Sequence, residues 1–132
     1  MLNEFNTMLG QNFPSLKKKF DDLKIEPVMY AYKWFLLFYA QEFNIGEIMR
    51  LWDSLFSFFD PDDPSKINKF VLEFAISIIY LLKNKLINSE MADIISCLIN
   101  TNLELENVLE TTLKCYKNNH KGESMFSLFP LG

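Results

Sequence analysis

The stretch Phe70 to Leu82, FVLEFAISIIYLL, constrains this chain more than any other. It falls short of the roughly 18 to 20 apolar residues that a membrane-crossing helix needs, and Glu73 and Ser77 interrupt it. A helix that is apolar nearly all round must be enclosed by other elements. The remaining sequence has the material to enclose it. Of 132 residues, 49% are hydrophobic and 15% aromatic, with 13 Phe among them. Only 4 Gly and 5 Pro interrupt, which favours long helices over a loop-rich β design. Neither strand alternation nor an internal repeat competes with that reading. The expected fold is all-α, an irregular orthogonal bundle of about six helices.

Charge and motif content then remove whole classes of function. The net charge of −4, with 17 acidic against 13 basic residues, gives no general attraction to nucleic acid. Arg50 is the sole arginine. There is no P-loop, no G-x-G-x-x-G and no G-x-S-x-G elbow. The single His120 has no companion at metal-ligand spacing, and C-x-x-C is absent. The acidic loop Asp60 to Ser65 fails the calcium-loop pattern, since Val71 stands where the twelfth-position Glu belongs. No catalytic residue, metal or cofactor is therefore expected. Glu4 sits where a secretory signal would carry positive charge, so Cys97 and Cys115 are read as two reduced, mostly buried cytosolic thiols.

Along the chain, a short first helix breaks near Pro14, and Ser15 is the expected N-cap of a helix through Leu23. Leu16, Phe20 and Leu23 share its apolar face, leaving Lys17, Lys18 and Lys19 to solvent. Pro27 suits the first turn of a core helix ending near Phe43. Asn44 and Glu47 form a capping box for the next helix, whose Ile48, Leu51, Trp52, Leu55 and Phe56 make a wide apolar stripe. Helices over 67–86 and 89–99 follow, and Thr101 with Glu104 spells a second box opening a helix to Lys117. The body is expected to span 1–118. A flexible connection and an apolar tail, MFSLFPLG, occupy 119–132, with the tail folding back on the domain.

The run IEPVMYAYKWFLLFYAQEFNIGEIMRLWDSLF, Ile25 to Phe56, resembles the third conserved block of TBC-type Rab GTPase-activating domains. The matching residues are Ile25, Pro27, Tyr30, Ala31, Lys33, Trp34, Phe35, Gln41, Glu42, Phe43, Arg50, Leu51, Trp52 and Asp53. The upstream PSLKKKFDDL resembles the short helix that precedes this block. The specific match covers about a quarter of the chain and the compatible helical pattern most of it. The resemblance implies the C-terminal lobe of such a domain.

Within that lobe the matched residues read as scaffold: Pro27, Tyr30, Trp34, Phe35, Glu42, Phe43, Arg50, Trp52 and Asp53. Trp34 and Trp52 are expected as buried indoles at one helix junction, with Asp53 accepting a hydrogen bond beside them. Arg50 is expected to pair with Glu42 or Glu47. Lys33, Gln41 and Asn44 are weak candidates for partner contact.

The family's activity uses an arginine and a glutamine inserted into a GTPase, from Ile-x-x-Asp-x-x-Arg and Tyr-x-Gln-Gly blocks. Neither block is present. Arg50 follows Glu47 and Asn44 at the two diagnostic positions, and Tyr39-Ala40-Gln41 is followed by Glu42 instead of glycine. The resemblance thus implies a piece of a longer activator, inactive alone. Its partner would be a GTP-bound Rab, met in the cytoplasm and on endomembranes, without a membrane span. A helical adaptor that binds GTPases or trafficking proteins without fingers is the alternative reading.

Overall fold

The computed structural model describes residues 2–36, 43–57 and 59–120. Among these residues the chain forms seven α-helices, one 3-10 turn and no strand, in keeping with the all-α expectation. Helices α1 (Leu2–Asn12) and α2 (Pro14–Asp22) precede the 3-10 turn Pro27–Met29 and α3 (Ala31–Leu36). Then come α4 (Ile45–Ser57), α5 (Ser65–Ile87), α6 (Met91–Ile99) and α7 (Leu105–His120).

Helix α5 is the axis of the domain. It touches α1, α2, α3, α4 and α7, and every residue from Phe70 to Ile79 is buried. That continuous burial explains why its sequence shows no polar face. Both polar interruptions, Glu73 and Ser77, are buried. The Ser77 hydroxyl donates to the Glu73 carbonyl at 2.8 Å, and Thr112 Oγ1 of α7 lies 3.0 Å from Ser77 Oγ. Thr112 Oγ1 also lies 2.8 Å from the Val108 carbonyl, so each hydroxyl has a partner on its own helix as well as across the α5–α7 contact.

Several helix ends differ from expectation. Pro14 itself opens α2, and Phe13 at the N-cap makes no side-chain capping bond, so Ser15 is not the cap. Proline at the first position needs no N–H and brings the right φ, which leaves a hydroxyl cap dispensable. Pro27 opens a 3-10 turn, and Tyr30, at φ −137°, separates it from α3. Helix α7 begins at Leu105, and the Val108 N–H donates to the Glu104 carbonyl at 3.3 Å. Thr101 is therefore too far upstream to cap it and is instead buried. The helix continues through His120, so Asn119 and His120 are not a connection. The apolar tail lies outside the described residues.

The lysine run is only partly solvated. Lys18 is exposed and Lys17 pairs with Asp21, but Lys19 Nζ reaches the carbonyls of Leu86, Ile87 and Ser89. The acidic loop carries its own order. Asp60 accepts from the Asp62 amide at 2.9 Å and from Lys66 Nζ at 2.9 Å, and Asp63 accepts from the Ser65 amide. Among the described residues no group of three His, Cys, Asp or Glu is placed to hold a metal. Cys97 is a buried free thiol.

Candidate functional site

The entry of the chain into the Ile25 to Phe56 block is fixed by the end of α2. Lys24 takes a left-handed φ of 58°, its N–H donates to the Asp21 carbonyl at 3.1 Å, and the Ile25 N–H reaches the Phe20 carbonyl at 2.8 Å. These two bonds make a Schellman turn, with the buried Ile25 one residue beyond the left-handed position.

Tyr30 and Trp34 then enter an aromatic cluster built on the first two helices. Their ring centroids lie 5.4 Å apart, with Phe5 at 6.0 Å from Tyr30 and 6.5 Å from Trp34. Phe20 lies 6.2 Å from Tyr30, and Phe35 sits 5.8 Å from Phe5. All five contacts are edge-on, the arrangement that ring quadrupoles favour. Trp34 is 1% exposed and lies in the core. The Tyr30 hydroxyl is buried with no hydrogen-bond partner among the described residues, and burial pushes its ionisation above the ordinary tyrosine range.

Phe43, midway along the block, packs on α5, 6.1 Å from Phe74. The capping box beside it is complete. The Glu47 amide donates to Asn44 Oδ1 at 2.9 Å and the Asn44 amide donates to Glu47 Oε1 at 3.3 Å. Asn44 is thereby committed to the start of α4. Gln41 and Glu42 lie outside the described residues. Lys33 is exposed in the last turn of α3.

Helix α4 departs from the sequence reading in three ways. Ile48, Leu51 and Leu55 face the core, while Phe56 is exposed and Trp52 is 39% exposed, so the second indole is not a buried joint. Asp53 is exposed, on a shallow depression shared with Gly46, Met49, Arg50, Ser54 and Ser57. Arg50 pairs across the fold with Glu106 of α7 through two nitrogens, Nη2 to Oε2 being 3.0 Å, and not with Glu42 or Glu47. Glu47 Oε2 also lies 3.4 Å from the Leu105 amide, at the start of α7. Two neighbouring turns of α4 thus both hold the first turn of α7. No local spacing announces Glu106, which lies 56 residues from Arg50.

The matched block thus supplies core and helix junctions, and the chain's sole arginine pairs with Glu106. The chain belongs to the Rab-GTPase-TBC domain family, whose family model matches residues 1–87. The match ends at the last residue of α5. A TBC domain-containing protein of Schizosaccharomyces pombe is 25% identical over 123 residues, covering 86% of this chain and 20% of that protein. The GTPase-activating protein GYP5 of Saccharomyces cerevisiae is 36% identical over 56 residues, 42% of this chain and 6% of that protein. Human TBC1 domain family member 13 is 28% identical over 72 residues, 54% of this chain and 16% of that protein. The chain thus spans a fifth or less of these relatives. No solved structure gives a significant match. No described helix is long and apolar enough to cross a membrane.

Proposed function

We propose that this chain forms the C-terminal lobe of a Rab GTPase-activating domain, bracing a catalytic lobe that carries the fingers. The family membership supports the class, and the GTPase-activating activity for which the GYP5 relatives are named supports the direction of the effect. The partner in this reading is a Rab in its GTP-bound state, met in the cytoplasm or on the endomembrane that the Rab occupies.

One observation carries the further reading that these 132 residues do not accelerate hydrolysis alone. An arginine finger neutralises charge developing on the transferred phosphoryl group and contributes about 10³ to 10⁵ in rate. Arg50, the sole arginine, spends its charge on Glu106 and lacks the flanking residues of the finger block. Gln41 lacks the glycine that follows the family's catalytic glutamine. The test is single-turnover GTP hydrolysis by a panel of Rabs with excess protein. Hydrolysis at the intrinsic rate is expected. Acceleration of about 100-fold or more, lost in Arg50→Ala, would overturn the reading.

A further inference from the structure

Helices α5 and α7 run in the same direction. Phe43, just before α4, packs on Phe74, and the first two turns of α4 hold Leu105 and Glu106 at the start of α7. Further along both helices, Thr112 Oγ1 meets Ser77 Oγ at 3.0 Å. On α5 the stripe that carries Ser77 continues, seven residues on, to Asn84. The same step from Thr112 reaches Asn119, in the last turn of α7. Helix α7 therefore ends at the same end of the domain as α5.

An open pocket of about 150 Å³ lies at that end. Lys83, Asn84 and Ile87 of α5 form one side, and Phe13, Pro14 and Leu16 at the corner between α1 and α2 form the other. Four of these six are apolar, and Ile87 is left 40% exposed. An apolar cavity of roughly 150 Å³ holds a benzene ring, so the pocket has room for one phenyl side chain. Ser15 lines it as well, in a first turn of α2 that has no side-chain cap. A backbone carbonyl entering with the ring would meet amides that lack a partner within the helix.

We propose that residues 125–131 of this chain, MFSLFPL, fold back and seat one phenyl ring, Phe126 or Phe129, in this pocket. The segment lies beyond the described residues and is apolar at every position except Ser127. Its reach is sufficient. At up to about 3.3 Å per residue, Phe126 extends roughly 20 Å and Phe129 roughly 30 Å from His120, whereas neighbouring helices are about 8 to 10 Å apart. So short a tether also holds the segment at a millimolar effective concentration, ahead of a free partner. The exposed face of α4 is worse placed. Glu47 meets α7 at its first turn, and 16 residues, roughly 24 Å, separate that turn from the end of α7. This contact is internal to the chain and depends on no GTPase.

The experiment is NMR on the 132-residue chain, alongside Ile87→Glu, Met49→Glu and the double variant Phe126→Ser with Phe129→Ser. Backbone order parameters of residues 125–131 are expected near about 0.8 in the parent chain and in Met49→Glu, and below about 0.6 in the other two. Nuclear Overhauser contacts should join one tail phenyl ring to the methyl groups of Leu16 and Ile87. Circular dichroism verifies folding, and if Ile87→Glu unfolds, the ring contacts and the tail variant decide. A parent tail with order parameters below about 0.6 overturns the proposal. So does order lost in Met49→Glu and kept in Ile87→Glu, which would seat the tail on α4. In a mixture of labelled and unlabelled chains, ring contacts that cross between chains would give the pocket to a second copy's tail and overturn it too.

Discussion

Lys19 on α2 donates to the carbonyl of Leu86 at the end of α5, 3.1 Å away and 67 residues along the chain. The same ammonium donates to Ile87 at 2.6 Å and to Ser89 at 2.7 Å. The last carbonyls of a helix have no partner within it, and a cation there also complements the helix dipole. Lys19 therefore ties the start of the domain to the end of its axis. Replacing it with Met keeps most of the stem and removes the donor, at an expected cost of about 1 to 3 kcal/mol. Lys18→Met is expected to stay within about 0.5 kcal/mol of the parent chain. Urea unfolding followed by circular dichroism compares the two, and equal midpoints would remove Lys19 from the structural account.

Lys24 sits at a φ of 58°, where a side chain costs energy that glycine avoids. Lys24→Gly is expected to stabilise the domain by about 0.5 to 1 kcal/mol, although it removes a side chain and adds freedom to the unfolded chain. Lys24→Val, β-branched at the same position, should destabilise by a similar or larger amount. Thermal unfolding of the two variants reads both signs. A loss of stability in the glycine variant would contradict the Schellman turn.

The two tryptophans should separate in solution. Trp34→Ala empties a buried aromatic cluster and is expected to cost about 3 to 5 kcal/mol, whereas Trp52→Ala should cost about 1 kcal/mol or less within one chain. Single-tryptophan variants give an independent reading. Trp34 alone should emit at short wavelength and resist acrylamide. Trp52 alone should emit further to the red and quench readily. Equal quenching would refute the assigned burial.

The Arg50–Glu106 pair makes a pH prediction. A hydrogen bond from the Arg50 guanidinium, followed by its charge, holds the Glu106 carboxyl below its ordinary value of 4.5. Because the folded value is the lower one, the stabilising contribution is present above the ordinary value and is lost as pH falls through the folded one. Side-chain NMR should therefore place the Glu106 midpoint below 4.5 and return it there in Arg50→Ala. Both groups are more than half exposed, so about 1 M salt should shrink the difference.

The sequence alone determined what depends on near neighbours. Asn44 and Glu47 are three residues apart, and a helix start brings their side chains to each other's amides whatever lies beyond. Phe70 to Ile79 offers no polar face, so it had to become the enclosed axis. The aromatic residues around Trp34 likewise announced a core.

Only the tertiary structure decided which distant group each charge met and which apolar face stayed open. Arg50 had two carboxylates near it in sequence and bound a third on α7, because the seating of α7 against α4 and α5 put Glu106 within reach. Lys19 belonged to a run that local spacing assigned to solvent, until the end of α5 arrived beside it. Trp52 belongs to an apolar set wider than one core face can bury, so side-chain type could not say which members would stay exposed. Periodicity specifies a helix and its apolar width. Packing against neighbours remote in sequence chooses the angle at which that width is used.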